Sequence, residues 1–320
     1  MAMSGIGQYL KLIGRKHGGG RDLNREQAAD LMGQVLDVAV SDFEIGAFCL
    51  AMRSKGETPD ELAGFLDAAR ARITLVPLAA GAKTVVIPSY NGARKLPVLT
   101  PLLAQLLARK GFAVLLHGTA TESRRIGTQE VLAAMGVAPL SSVRTVNAGE
   151  IVFIPTELLS PGLKRLLDVR RDMSLRNSAH SMVKLLNPVE EPVAASLLIT
   201  SYTHPEYLEP MMQALSAAYG AAKGTATDVI GINAMILHGT EGEPVADARR
   251  APQMDALIAG VAKRLIDASI GPLMPPAGFP LKSDLDVTVT YIESVLSGNL
   301  PIPEPIARQV QWVEKLLNKS

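Results

Sequence analysis

Apolar positions follow two different periods along this chain. Between residues 21 and 75 they recur every three to four residues: Ile45, Phe48, Cys49 and Met52 form one stripe, and Leu62, Phe65, Leu66 and Ala69 another. Asn24 with Gln27, Ser41 with Glu44, and Thr58 with Glu61 have capping-box spacing, and Pro59 follows Thr58 at a first helical position. The pattern predicts three helices of about 12 residues joined by short loops. A shorter helix is expected over 6–13, followed by Arg15-Lys16-His17 and three glycines, which read as a solvated linker or as a mobile basic arm.

From Ile73 the pattern becomes short β-branched runs alternating with helical stretches. Residues 85–87, 112–116, 150–154, 197–200 and 234–237 read as buried strands. Pro88 is expected to end the first of these. After it, Asn91-Gly92 is a turn pair, and a helix follows with Thr100 as N-cap, Pro101 at its first position and Gly111 past its end. Further helices are expected over 128–135, 205–219, 252–267, 284–296 and 304–318. Residues 160–188 interrupt the alternation with two helices, one capped by Ser160 and one spanning 177–186 up to Asn187-Pro188. Residues 220–233 read as a long polar loop. The fold class is therefore α/β: a small all-helical N-terminal domain plus a large α/β domain with a mainly parallel central sheet. We expect residues 1–72 plus 160–190 in the helical domain, and 73–159 plus 191–320 in the α/β domain.

Composition narrows the chemistry. Of 320 residues, 48% are hydrophobic and only 4% aromatic, fewer aromatics than a protein that stacks bases usually carries. A single cysteine, Cys49, excludes an internal disulfide and a cysteine metal site, and inside an apolar helix it reads as an inert buried thiol. No signal peptide and no apolar run near the roughly 20 residues of a membrane span is evident, so a cytoplasmic protein without a membrane partner is expected. Net charge is +1, but it is segregated: residues 1–184 hold 23 cations against 16 anions, and the remainder 9 against 15.

The candidate chemistry is anionic. A loop leaving a strand towards a helix is where open α/β sheets bind ligands, and here it carries Arg94 and Lys95. Arg124-Arg125 likewise lack nearby acidic partners. Lys164, Arg165, Arg170, Arg171 and Arg176 form the densest cluster, partly offset by Asp168 and Asp172 at helical spacing. Residues 113–119 (Ala-Val-Leu-Leu-His-Gly-Thr) recur as 234–240 (Ala-Met-Ile-Leu-His-Gly-Thr), which fits either plain strand-end geometry or shared ligand contact. His117 and His238 there read as turn residues rather than ligands. No Walker A loop, no Gly-x-Gly-x-x-Gly after a strand and no His-Glu-x-x-His is present. Glu241 and Glu243 read as a solvated turn, with a phosphate-assisted Mg²⁺ site as the other reading.

The helical unit, the interrupted sheet and above all residues 161–188 (Pro-Gly-Leu-Lys-Arg-Leu-Leu-Asp-Val-Arg-Arg-Asp-Met-Ser-Leu-Arg-Asn-Ser-Ala-His-Ser-Met-Val-Lys-Leu-Leu-Asn-Pro) resemble anthranilate phosphoribosyltransferase. That resemblance covers nearly the whole chain. It implies a nucleoside phosphorylase/phosphoribosyltransferase-like fold and a homodimer formed through the helical domain. The substrate motifs depart from it. Where such enzymes cradle a diphosphate on Gly-Thr-Gly-Gly-Asp, this chain has Pro88-Ser89-Tyr90-Asn91-Gly92. Their Lys-His-Gly-Asn-Arg is Leu116-His117-Gly118-Thr119-Ala120, and their Asp-Glu metal pair falls at Glu243-Pro244-Val245. Arg176, matching the arginine of the anthranilate site, and Asn187-Pro188 are retained.

The combination Ile-Pro-Ser-Tyr-Asn-Gly-Ala-Arg-Lys with His-Gly-Thr-Glu-Gly-Glu is similar to the YbiB-type branch of that family. This likeness implies a non-catalytic homodimer that binds nucleic acid, DNA or RNA, through its phosphate backbone without strong sequence preference. Arg94, Lys95, Arg124, Arg125, Lys164, Arg165, Arg170, Arg171 and Arg176 are then the contact residues, with no catalytic or metal residue and no cofactor. Ser89, Asn91, Gly92, His117, Gly118, Arg176 and Asn177 would line a vestigial ligand cleft. The alternatives are a pentosyltransferase with altered loops, which alone would need Mg²⁺, a more distant pyrimidine nucleoside phosphorylase, whose signature loop is missing, and a dimeric scaffold without ligand.

Overall fold

The computed structural model describes residues 5–15, 19–190, 196–219 and 232–318. Residues 16–18 of the basic arm at 15–20 and residues 220–231 of the polar loop at 220–233 lie outside them. Four helices open the chain: α1 (Gly7–Ile13), α2 (Arg25–Leu36), α3 (Asp42–Lys55) and α4 (Pro59–Arg70). All three capping boxes form at the expected residues, each satisfying two otherwise unpaired backbone N–H groups. Glu61 does more than cap. Its buried carboxylate also accepts from Leu23 N–H at 2.9 Å and from Lys55 Nζ at 2.7 Å, tying α4 to α3 and to the entry of α2.

The α/β part runs β1 (Thr84–Ser89), α5 (Thr100–Arg109), β2 (Ala113–Gly118), α6 (Thr128–Ala134) and β3 (Ile151–Pro155). Next come α7 (Thr156–Leu159), α8 (Pro161–Met173) and the short α9 (Ala179–Met182), extended by one 3₁₀ turn over Val183–Leu185. The sheet resumes with β4 (Ser196–Tyr202), then α10 (Leu208–Tyr219), β5 (Asn233–His238), β6 (Met254–Ile258), β7 (Val261–Ile266), α11 (Leu285–Leu296) and α12 (Glu304–Asn318). Strand order is β3-β2-β1-β4-β5-β6-β7, parallel through β5 and antiparallel at β6 and β7.

Both faces of the sheet are covered, which is why its strands read as continuous apolar runs. Val86, Leu115, Val152, Leu198 and Ile236 face a core shared with the N-terminal helices, α8 and α10. Their neighbours Val85, Leu116, Phe153, Leu197 and Leu237 face the opposite core under α5, α11 and α12. The helical unit is thus seated on one face of the sheet, and its junction with the strand ends is a cleft.

Three local expectations are corrected. Pro88 lies inside β1. Because β4 pairs with β1 only over residues 84–86, one side of the strand has no partner beyond Val86 and the missing N–H breaks no ladder there. Thr100 opens α5 rather than capping it, because its hydroxyl is turned to Glu243. The helix expected over 252–267 is the β6–β7 hairpin, turned at Ala259-Gly260 with both residues at positive φ.

Candidate functional site

The loops leaving β1, β2 and β5 meet at the carboxyl ends of the strands. Glu243, from the loop after β5, is only 1% exposed. It reaches the loop after β1 and accepts from Ser89 Oγ (2.5 Å), Asn91 N–H (2.9 Å) and Gly92 N–H (2.8 Å), and from the hydroxyls of Thr100 (3.1 Å) and Thr128 (3.2 Å). Glu241, two residues earlier, accepts from the backbone N–H groups of Arg94 (3.0 Å), Lys95 (2.8 Å) and Leu96 (2.8 Å). Five backbone N–H groups that curve around the β1 loop therefore converge on two carboxylates of the same chain. Successive N–H groups of this kind form a concave anion receptor. Here the anion is internal.

Neither reading made for this Glu-Gly-Glu turn holds. It is not solvated, and the two carboxylates point into separate sets of N–H donors rather than towards one cation. Gly242 between them has φ +90°. A Cβ there would meet Asn91 Nδ2 at 2.5 Å, and its carbonyl accepts from Asn91 Nδ2 (2.5 Å) and Ser201 Oγ (2.9 Å).

The expected cleft residues separate. Ser89, Asn91 and Gly92 surround Glu243, and Asn91 Oδ1 accepts from Arg176 at 3.1 Å. Asn177 sits beside Arg176, its amide spent on Leu166 O and Ala179 N–H. His117 and Gly118 are structural. Nε2 of His117 donates to Leu186 O at 3.1 Å, so Nδ1 accepts from Tyr90 O–H at 2.9 Å. A Cβ on Gly118 would lie 1.9 Å from Ser89 O, so only glycine lets β2 approach β1 there. Burial holds His117 neutral by lowering its pKa to about 4. His238 is exposed and bonded to Thr203 O, so the repeated His-Gly-Thr is strand-end geometry rather than shared ligand contact.

The candidate cations also separate. Ala93 and Ile126 exchange two backbone hydrogen bonds of 2.9 Å as an antiparallel bridge. That pairing sets Arg94-Lys95 alongside Arg124-Arg125. Arg94, Lys95 and Arg124 are exposed, with no ion pair among the described residues. Arg125 contacts Glu122 at 3.1 Å, Glu241 at 3.7 Å and Gly92 O. The end of α8 joins this patch: Arg170 bonds Glu122 (2.8 Å) and Thr121, and Arg171 bonds Ala120 O. Lys164 and Arg165 do not join it. They lie two turns back on α8, paired with Asp168 and with Asp42.

Arg176 opens onto a cavity of about 660 Å³ between α3, α9 and the end of β4, lined also by Arg53, Asn177, His180, Lys184, Tyr202, His204 and Tyr207. Burial and the nearby Arg170, Arg125 and Arg53 lower the pKa of Arg176. Burial also lowers Lys184 to about 8, helped by Arg176. Arg53 is brought in from α3, far off in the chain, and carries no sequence signal, whereas His180 and Lys184 follow Arg176 at four-residue steps in the same segment. Among the described residues, no cluster of three metal-ligating side chains occurs and no helix is long and apolar enough to cross a membrane. Cys49 is buried, its thiol pushed up to about 11 by desolvation.

A helical bundle seated on a mainly parallel sheet is also the fold of solved anthranilate phosphoribosyltransferases. A profile for "Glycosyl transferase family, helical bundle domain" matches residues 10–73. Over 312 residues the chain is 36% identical to the uncharacterized protein YbiB of Escherichia coli (strain K12), covering 95% of this chain and 91% of that protein. It is 29% identical over 231 residues to the anthranilate phosphoribosyltransferase of Anaeromyxobacter sp. (strain K), covering 71% of this chain but 64% of the enzyme. The fold matches the anthranilate phosphoribosyltransferase of Thermus thermophilus with TM-score 0.70 at 20% identity, over 98% of this chain and 90% of that one. The Saccharomyces cerevisiae enzyme in complex with PRPP and Mg matches with TM-score 0.67 at 14% identity, over 98% and 89%. The chain belongs to the anthranilate phosphoribosyltransferase-like family.

Proposed function

We propose that this protein is a non-catalytic member of that family and binds nucleic acid through the phosphate backbone, as a homodimer, without strong sequence preference. The observation that carries this reading is the Ala93–Ile126 bridge, which groups the exposed Arg94, Lys95 and Arg124 around the half-buried Arg125, continued by Arg170 and Arg171. Glu122 and Glu241 offset only part of that charge. Few aromatic residues and no groove-reading helix motif favour phosphate contact over base readout. Glu243 supports the loss of diphosphate chemistry, because the receptor such a donor needs already holds a carboxylate.

Fluorescence anisotropy of a labelled single-stranded oligonucleotide tests it. Binding should weaken linearly in log Kd against log salt, and reversing Arg124 and Arg125 to Glu should flatten the slope by about 2. No binding at low salt would refute the reading. The second reading, an active pentosyltransferase, is favoured by the relatives' activity and by Arg176 at the cavity. It requires Mg²⁺-dependent binding of phosphoribosyl pyrophosphate, and calorimetry on the wild-type protein decides it.

A further inference from the structure

The cavity beside Arg176 holds two cations with no direct ion pair among the described residues, since Glu122 acts on Arg176 and Glu243 on Lys184 only through space. Arg176 has one hydrogen-bond partner among the described residues, the neutral Asn91. Lys184 Nζ has only long contacts, 3.4 Å to Ser201 O and 3.5 Å to Gly242 O. The carboxylate that acts on Lys184 is Glu243, whose oxygens are committed to five donors on the other side. His180 lines the same cavity, is 8% exposed and has no partner on Nε2. Of the lining carboxylates, neither Glu57 nor Glu206 forms an ion pair with Arg53, Arg176 or Lys184. Two half-buried cations that line one cavity without a direct ion pair favour an anion between them.

We propose that this cavity is a binding site for a phosphate monoester that carries a flat ring, a free nucleotide or the phosphorylated end of a strand. A dianion balances Arg176 and Lys184 together, whereas a single carboxylate leaves one of them uncompensated. Lys184 lies in the 3₁₀ turn Val183–Leu185, eight residues after Arg176 in the chain. The outer wall supplies the ring contact: His204 and Tyr207 have centroids 6.2 Å apart, and Tyr207 is 52% exposed. The volume lies within the range of small-molecule pockets.

Calorimetry on the full chain with AMP, adenosine, ribose 5-phosphate and anthranilate tests the assignment. AMP should bind, ribose 5-phosphate more weakly, and adenosine not at all. Lys184→Met should weaken AMP by about tenfold or more, as loss of a charge-assisted contact does. Arg53→Ala, at an exposed lining residue, should weaken it by a smaller factor and guards against misfolding of the Lys184 variant. A parallel anisotropy series compares a 5′-phosphorylated with a 5′-hydroxyl oligonucleotide. A preference for the phosphorylated strand that Lys184→Met abolishes assigns the site to strand ends, and AMP binding without that preference assigns it to free nucleotides. Equal binding of AMP and adenosine, binding of anthranilate alone, or no binding of any phosphate monoester overturns the proposal. Because AMP binding does not require the basic patch, that failure would leave the oligonucleotide result standing, and the reverse.

Discussion

At the scale of single residues, Glu243 decides what the strand ends can hold. Its five donors are buried and converge on this one carboxylate. Glu243→Ala therefore leaves two N–H groups and three hydroxyls facing a vacated anion receptor, and should cost about 3 kcal/mol or more. Inorganic pyrophosphate should then raise the melting temperature of Glu243→Ala and leave the wild type unchanged. A variant that melts like the wild type, or one that pyrophosphate does not rescue, would mean that the receptor is not an anion site. The residue was visible in the sequence, but its role was not. Nothing in the local pattern says that a Glu-Gly-Glu turn closes on a loop about 150 positions earlier.

His117 makes a second residue-scale prediction. Its folded pKa lies near 4 because burial disfavours the cation, against 6.5 for the free group. Between those values the unfolded chain binds the proton and the folded chain does not, so stability falls as pH drops below about 6.5. The loss should reach about 2 kcal/mol by pH 5. Denaturant titrations at pH 7 and pH 5 measure it, and His117→Asn should shrink the difference by about 2 kcal/mol, leaving the share that His180 contributes. An equal pH 5 deficit in the variant would assign the acid sensitivity elsewhere, with His180, lowered to about 3 by burial and neighbouring cations, the next group to examine.

At the scale of elements, sequence order and structure agree wherever one period runs unbroken between clear stops. The capped helices α2, α3 and α4 and the strands β1 to β5 are of that kind. They part at residues 254–266. There Met254, Leu257, Ile258, Val261 and Leu265 recur at helical spacing, and the Ala-Gly turn lacks the Asn or Asp that marks a two-residue hairpin. The edge of the sheet overrides that pattern, because β6 completes the ladder begun by β5. Two substitutions separate hairpin from helix by sign. Ala259 has φ +48° and Gly260 φ +79°. In a hairpin Ala259→Gly relieves a left-handed residue and should stabilise by about 0.5–1 kcal/mol, while Gly260→Ala should destabilise by about 1 kcal/mol. In a helix both signs reverse. Chemical denaturation of the two variants reads the difference directly.

At the scale of the whole molecule, charge and apolar surface lie on different parts. The basic patch is at the strand ends, whereas α3 turns Phe43, 92% exposed, and Leu50, 57% exposed, outward on one stripe two turns apart. In the homodimer we propose, that stripe meets the same stripe on a second copy, since a two-fold axis pairs like with like. Phe43→Glu should then convert a dimer to a monomer in sedimentation velocity while keeping the folded circular-dichroism spectrum, because Phe43 is not part of the core. The consequence for binding follows from valency. In the proposed nucleic-acid-binding dimer two basic patches would engage a long strand together, so dissociating them should weaken binding to a long oligonucleotide by about tenfold or more, on the order expected for linked sites. Affinity for a strand too short to span both patches should be unchanged. A Phe43→Glu protein that remains dimeric would move the interface off α3. One that becomes monomeric yet binds long strands as tightly as the wild type would show that each patch acts alone, and the salt slope of the monomer would then count every phosphate the protein contacts.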